Sequence, residues 1–241
     1  FARLILEPIK PRKNLNMAIG FFLGIFASII IVFIREYFDQ TVKSIDEIER
    51  KGLAVLALIP KLESVSSRTN LKKYKTKSGS AEKIQRRMIT TEDPKSPISE
   101  AYRGLRTSLQ YSKLNNKDKG GNIILVSSPG PGEGKTTTIV NLAITYANLG
   151  KKTLLIDADL RKPVVHKIFN LDKNIGLTQH LVGFEKNKEL VIQDTEIKNL
   201  SVIPSGVIPP NPSEILASEN MNNLIAKLKK DYDIILIDSP P

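Results

Sequence analysis

The 241-residue sequence predicts an α/β fold, with a parallel sheet flanked by helices on both faces and one membrane-spanning helix in front of it. Through the second half of the chain, short apolar segments of strand length alternate with segments of helix length, a pattern typical of βαβ units. A glycine-rich turn follows the first of these strands, and an uncharged apolar run lies near the N-terminus.

The apolar run covers residues 17–34 and contains no charged side chain over 18 residues. A helix needs about 20 apolar residues, within a range of about 17–25, to cross the hydrocarbon core. Gly20, Gly24 and Ser28 are small residues of the kind that packed transmembrane faces use. The alternative is a buried core helix, but such unbroken runs are rare in soluble domains. Lys and Arg flank both ends in similar numbers, so charge alone does not orient the helix.

Much of the formal net charge of +11 lies behind this helix. Residues 61–90 hold nine Lys and Arg against two Glu and are rich in Ser, which predicts a flexible basic linker over 63–93. Two interpretations stay open: a solvated tether, or a segment drawn to anionic lipid by about 1 kcal/mol per basic residue. Nucleic acid is not an expected partner, because the interleaved aromatic side chains of a stacking platform are missing. The absence of Cys excludes disulfides and thiolate zinc sites.

After the linker, Pro94 and Pro97 introduce a regular alternation of elements. The predicted helices cover 99–111, 136–149, 164–169, 177–182 and 213–229, the last opened by Ser213, and the predicted strands cover 123–127, 153–156, 201–203 and 233–237. The chain ends directly after the last strand and does not begin with Met. We therefore expect a fragment whose sheet is truncated on its C-terminal side.

Residues 126–137, VSSPGPGEGKTT, follow a strand and open a helix, as a phosphate-binding loop does. Its glycines let consecutive backbone N–H groups approach phosphates at the positive end of the helix. Lys135 can reach the β- and γ-phosphates, and the Thr136 hydroxyl can coordinate Mg²⁺. Pro129 replaces the first Gly of the strict pattern. The predicted nucleotide-binding residues are Gly130, Gly132, Glu133, Gly134, Lys135, Thr136 and Thr137.

Three carboxylates follow strands that are predicted to end beside this loop. Asp157 and Asp159 end the second strand, and Asp238 ends the last one. Ligands of open α/β sheets bind beyond the carboxyl ends of the strands. Carboxylates there can hold Mg²⁺ or accept a proton from a nucleophile. The pattern predicts a P-loop NTPase-like site for ATP and Mg²⁺, with Thr136 and the three carboxylates as the metal residues.

The deviant loop, the D-A-D-L-R that ends the second strand and the D-S-P-P that ends the last together resemble the bacterial tyrosine kinases, or BY-kinases. These look like the ParA/MinD-type ATPases in fold, but those ATPases carry a signature Lys where this chain has Gly130. Residues 100–106, EAYRGLR, are similar to the family's E-x-x-R-x-x-R helix. This similarity implies ring-like self-association through Glu100, Arg103 and Arg106; a plain i,i+3 pair of the first two is the alternative.

The resemblance also divides the chain into regions, because residues 6–11 and 53–60 resemble the end of a Wzz-type chain-length determinant and its cytoplasmic tail. The expected division is an extracytoplasmic end at 1–16, a transmembrane helix at 17–34, a juxtamembrane segment at 35–62, the basic linker at 63–93 and an incomplete kinase domain at 94–241. A fusion of a membrane activator with a separate kinase would give the same arrangement.

By resemblance, the expected function is that of an ATP-dependent protein-tyrosine (auto)kinase of the inner membrane. It would regulate capsular or exopolysaccharide polymerisation and export, with that machinery as partner and its kinase domain in the cytoplasm. Lys135 would stabilise the transferred phosphoryl group and Asp157 would accept the tyrosine proton, with Asp159 and Asp238 at or near the metal. Arg161 would contact phosphate, a neighbouring subunit or a structural carboxylate. The alternatives are a membrane-tethered MinD/ParA-like ATPase switch and a non-enzymatic chain-length scaffold.

Overall fold

The computed structural model describes residues 12–39, 44–60, 88–112, 122–183 and 192–241. They belong to two units, residues 1–55 and 56–241. Most of the basic linker therefore lies outside the described residues, as does the segment before the apolar run.

The first unit contains helix α1, Lys13–Tyr37, and the short helix α2, Ile45–Arg50. The 25 residues of α1 extend about 37 Å, more than the hydrocarbon thickness of about 30 Å. None of them is buried, and the mean hydropathy of the apolar window is 2.8. By length and composition, α1 is the one helix in the described part of the chain that could cross a membrane. The predicted helix over 17–34 is confirmed, and it extends from Lys13 to Tyr37, with the charged Lys13 and Arg35 in its first and last turns.

The second unit is built on a five-stranded sheet with the order β1-β5-β2-β4-β3. The strands are β1 Asn122–Val126, β2 Thr153–Asp157, β3 Gln193–Asp194, β4 Leu200–Ile203 and β5 Ile234–Asp238. Strands β1, β5, β2 and β4 are parallel, whereas β3 pairs with β4 in the antiparallel sense. The predicted parallel sheet is confirmed, with one short antiparallel edge strand that the sequence pattern does not predict.

Helices cover both faces of this sheet. They are α3 Ile89–Glu92, α4 Pro97–Ser112, α5 Lys135–Asn148, α6 Val165–Ile168, α7 Leu177–Val182, α8 Pro212–Leu216 and α9 Glu219–Asp231. Side chains alternate between the two faces of a strand. Leu155 and Leu236 accordingly pack into the cluster formed with α5, while Leu154 and Ile235 pack into the cluster formed with α7 and α9. By the same alternation, the last residues of β2 and β5 lie on the face that α5 covers.

The prediction of one helix over 213–229 is wrong, because two helices occupy this range. The first, α8, begins with Pro212 behind Asn211, and proline suits the first turn because its N–H would be unpaired there. Ser218 has an extended backbone, and its hydroxyl accepts a bond of 3.4 Å from the Met221 amide, so it caps a new helix. Ser218, and not Ser213, is therefore the capping serine.

Packing of the second unit begins before residue 94, where the sequence places the kinase domain. Helix α3 lies within the range expected to be linker, yet Ile89 and Thr90 are buried. Ile89 packs with Ile98 and Tyr102 of α4, and Ile59 lies against the same cluster. Ile59 before the linker and Ile89 near its end therefore pack against the same apolar cluster on α4.

Candidate active site

The loop between β1 and α5 has the backbone that a phosphate cradle requires. Gly132 and Gly134 adopt φ values of +81° and +94°, a region that other residues enter at a cost. Gly134 is the N-cap of α5, so Lys135 and Thr136 begin the helix and their N–H groups belong to its first turn. Gly130 accepts a hydrogen bond of 2.7 Å from the Ser128 hydroxyl through its carbonyl oxygen. The predicted strand–loop–helix context is present.

The first turn of α5 contacts the end of β5 directly. The Thr136 hydroxyl donates a hydrogen bond of 2.7 Å to Oδ2 of Asp238, which is 102 positions further along the chain. Asp238 is buried, and its carbonyl oxygen accepts a bond from Ala158 just beyond β2. The structure therefore joins the phosphate loop, β2 and β5 at one edge of the sheet.

Asp157 lies beside Asp238, because the two residues are register partners on neighbouring parallel strands. Its side chain is completely buried, Oδ2 accepts a bond of 3.2 Å from the Val165 amide, and Oδ1 has no hydrogen-bond partner. Burial raises the pKa of Asp157 well above its usual value, and the nearby Asp238 and Asp159 carboxylates raise it further. A buried acceptor with an unpaired oxygen and a raised pKa can take up a proton.

Asp159 differs from its neighbour two positions earlier. It is half-buried, and its Oδ1 accepts backbone hydrogen bonds from Arg161 at 3.2 Å and from Lys162 at 3.0 Å. Such bonds make an Asx-type turn that shapes the loop after β2. The Arg161 guanidinium reaches the Ser213 hydroxyl at 3.4 Å. The metal role of Asp159 stays a prediction, since its described contacts are those of a turn.

The oxygen donors at this edge fit a magnesium ion that shares its coordination with phosphate and water. No group of three or more His, Asp or Glu side chains suited to a metal occurs within the described ranges. Mg²⁺, however, is usually held by one or two carboxylates together with substrate phosphates. Thr136 and Asp238 provide a hydroxyl and a carboxylate in mutual contact, and the unpaired, buried Oδ1 of Asp157 lies on the next strand.

The three residues expected to mediate self-association have separate surroundings on α4. Glu100 and Arg103 form an ion pair with each other, and their side chains are 64% and 39% exposed. Arg106 donates from Nη1 to the carbonyl oxygen of Thr145 at 2.9 Å, and its Nε is buried. The i,i+3 pair of Glu100 and Arg103 is thus present, whereas Arg106 binds the last turns of α5.

Known proteins are similar to this chain over nearly its whole length. A family model described as an AAA domain matches residues 121–241. The tyrosine-protein kinase etk of Escherichia coli (strain K12) is 33% identical over 237 residues, covering 98% of this chain and 32% of the relative. The tyrosine-protein kinase YwqD of Bacillus subtilis (strain 168) is 43% identical over 159 residues, covering 66% of this chain and 65% of the relative.

A solved structure agrees with these relatives in fold. The kinase domain of the Escherichia coli tyrosine kinase ETK matches with a TM-score of 0.68 at 32% identity, covering 83% of this chain and 74% of that chain. The chain spans only part of the length of the two curated relatives. The Escherichia coli alignment nevertheless includes both the apolar helix and the phosphate-loop unit within one polypeptide.

Proposed function

The chain belongs to the bacterial tyrosine-protein kinases, and on that premise we propose that it transfers the γ-phosphoryl group of ATP to a tyrosine hydroxyl. The observation that carries the proposal is the contact between Thr136 and Asp238 with Asp157 buried at its side. At one edge of the sheet, this contact brings together a loop that can bind phosphate, oxygen atoms that can bind Mg²⁺ and a carboxylate that can accept a proton.

Each residue at this edge of the sheet has its own role in phosphoryl transfer. The loop amides and Lys135 stabilise negative charge on the transferred group, since aligned donors act most strongly where charge develops. Thr136 and Asp238 would hold Mg²⁺, which neutralises charge on the phosphates when it is bound. Asp157 accepts the proton of the attacking tyrosine, because burial and the neighbouring carboxylates raise its pKa and so make it a stronger base.

The cellular setting belongs to the same proposal. Helix α1 anchors the chain in the inner membrane, and the phosphate-loop unit lies on the cytoplasmic side, where ATP is available. The partners are the machinery of capsular or exopolysaccharide polymerisation and export and further copies of this chain. The exposed Glu100–Arg103 pair on α4 is the surface that supports self-association.

The test supplies the chain, purified in detergent, with Mg²⁺, γ-labelled ATP and a Glu/Tyr copolymer. Phosphotyrosine is then measured on the chain and on the copolymer. We expect Lys135→Met to lower its formation by about 100-fold or more, since a lost charge-stabilising donor costs about that much. Lys151→Met is the matched control, because Lys151 is exposed before β2, at the opposite end of that strand from Asp157. Lys151→Met should keep the wild-type rate.

Each other outcome points to one of the alternatives. ATP hydrolysis without phosphotyrosine would contradict the kinase and favour the membrane-tethered ATPase switch. If the chain shows no ATP hydrolysis and forms no phosphotyrosine, the result would favour the chain-length scaffold. Equal loss in Lys135→Met and Lys151→Met would show that the loop lysine has no special part in the reaction.

A further inference from the structure

Helix α5 contains a buried amide that the motifs of the sequence do not include. Asn141 is completely buried, within a run of buried residues from Ile139 to Ala147. Its Nδ2 donates a hydrogen bond of 2.7 Å to the carbonyl oxygen of Thr137. Its Oδ1 accepts two bonds of 3.0 Å each from Thr90, one from the backbone amide and one from the hydroxyl. Asn141 thus links α3 to the first turn of α5.

A helix interior gains little stability from such a residue. Asparagine is a weaker helix former than alanine or leucine, and a buried amide costs free energy unless its donors and acceptors are paired. Thr90 satisfies the oxygen twice, so the amide is oriented with its N–H₂ towards Thr137. The position of α3 therefore fixes the rotamer of Asn141.

Thr137 is itself one of the predicted nucleotide-binding residues, and it directly follows Lys135 and Thr136, which are expected to bind phosphate and Mg²⁺. The N–H groups of the first turn of a helix are free to bind an anion, and their direction depends on how that turn is set. α4 contacts the same helix further along. A hydrogen bond joins the side chains of Tyr102 and Thr138, and Arg106 binds the Thr145 carbonyl oxygen at 2.9 Å. α3 and α4 therefore brace α5 from its first turn to its last turns.

We propose that Asn141 is a positioning residue for the nucleotide site, held in place by Thr90. By fixing the Thr137 carbonyl, it keeps the first turn of α5 in the orientation that binds phosphate. The identity of the ligand as a nucleoside triphosphate rests on the proposed function, but the positioning itself is a property of α3 and α5. Because Thr90 lies at the C-terminal end of the linker, the contact between Thr90 and Asn141 connects the linker directly to the phosphate loop.

The test compares three variants of the full chain in detergent. Thr90→Val keeps the shape of the side chain and removes the hydroxyl that binds Asn141, whereas Thr90→Ser keeps a hydroxyl. Thr145→Val is the matched control, because Thr145 is a buried residue of the last turns of α5, and its hydroxyl binds the Leu142 carbonyl oxygen at 2.7 Å, far from the loop. Binding of a fluorescent N-methylanthraniloyl ATP with Mg²⁺ is measured together with Tm and with hydrogen–deuterium exchange of residues 134–138.

We expect Thr90→Val to raise the nucleotide Kd by about threefold to tenfold, the range that one lost hydrogen bond allows. Exchange of residues 134–138 should become faster in the same variant without nucleotide. Thr90→Ser should stay within about twofold of wild type, because its hydroxyl can make the same bond. Thr145→Val should lose a similar amount of Tm with an unchanged Kd and unchanged exchange at the loop.

Two results would overturn the inference alone: a Kd and loop exchange in Thr90→Val that equal those of wild type, or effects in Thr145→Val as large as those in Thr90→Val. The second result would show that any loss of stability in this unit weakens the site. A wild-type chain that binds no nucleotide, but whose loop exchange still responds to Thr90→Val, would overturn the proposed function and leave the positioning standing.

Discussion

The sheet edge at Asp157 and the outer face of α4 both carry motifs that the sequence assigns to function, yet their surroundings differ. At the sheet edge, Thr136 and Asp238 come from distant parts of the chain and meet at 2.7 Å, next to a carboxylate with no exposed area. On α4, Glu100 and Arg103 pair with each other one turn apart at the surface, and Arg103 also donates a bond of 2.8 Å to the Pro94 carbonyl oxygen. Groups that are buried together are expensive to assemble, and this points to chemistry, whereas an exposed local pair contributes little on its own.

The largest effect is expected from Asp157→Asn. The amide can still accept the bond from Val165, so the structure is kept, but it cannot take a proton. Phosphotyrosine formation should fall by about 100-fold to 10,000-fold, the usual contribution of a general base. Nucleotide affinity should stay within a few-fold of wild type in a fluorescence titration. Full activity in this variant would place the proton acceptor elsewhere.

Asp157→Asn should also change how stability depends on pH. Burial and the adjacent carboxylates raise the pKa of Asp157 in the folded chain, so the folded state holds its proton more tightly than the unfolded state does. The stabilisation is complete below the unfolded pKa of about 4 and is lost as pH rises through the raised folded pKa. The variant should therefore have a higher Tm than wild type at neutral pH, a difference that shrinks towards pH 4. Thermal denaturation across this range measures it, and Asp159→Asn, at a half-buried turn residue, is the comparison.

A smaller effect is expected from Arg106 of α4, which is half-buried. Arg106→Ala removes a charged donor from the Thr145 carbonyl oxygen, and hydrogen bonds to charged groups contribute about 1.5–3 kcal/mol. The free energy of unfolding should fall by about that amount in a denaturant titration. An unchanged midpoint would mean that Arg106 leaves this contact in solution.

The smallest effect on stability is expected from the exposed pair. Arg103→Ala removes a surface ion pair and an exposed bond to the Pro94 carbonyl oxygen, and it should lower the free energy of unfolding by less than about 1 kcal/mol, as exposed charged contacts generally do. If the pair supports self-association, however, light scattering should show smaller particles in this variant. Particles of wild-type size would contradict that role and leave Arg103 as a local partner of Glu100.

Features with a local cause could be predicted from the sequence. The phosphate loop needs only glycines that turn the backbone and a helix that starts behind them. Asp157 and Asp238 end strands whose parallel pairing brings their ends to one edge. The apolar run over 17–34 needs no partner to be recognised as a helix.

Features that depend on tertiary partners could not be predicted. The basic, Ser-rich composition before residue 94 predicts a linker and gives no sign of α3. The position of this helix depends on the bonds between Thr90 and Asn141, which lies 51 positions further along the chain. The helix break at Ser218 depends on the bond between its hydroxyl and the Met221 amide. The sequence around Ser218 is also compatible with one continuous helix, so it does not predict the break. Arg103 and Arg106 belong to the same E-x-x-R-x-x-R segment, and only the packing of α4 on α5 gives them different contacts.

The fate of the γ-phosphate tests the central claim most directly. The wild-type chain and Asp157→Asn are incubated with Mg²⁺ and γ-labelled ATP, and the label is separated into phosphotyrosine and inorganic phosphate. The proposed function predicts labelled phosphotyrosine from wild type and almost none from Asp157→Asn, although both bind nucleotide. Label that appears only as inorganic phosphate from both chains would contradict it.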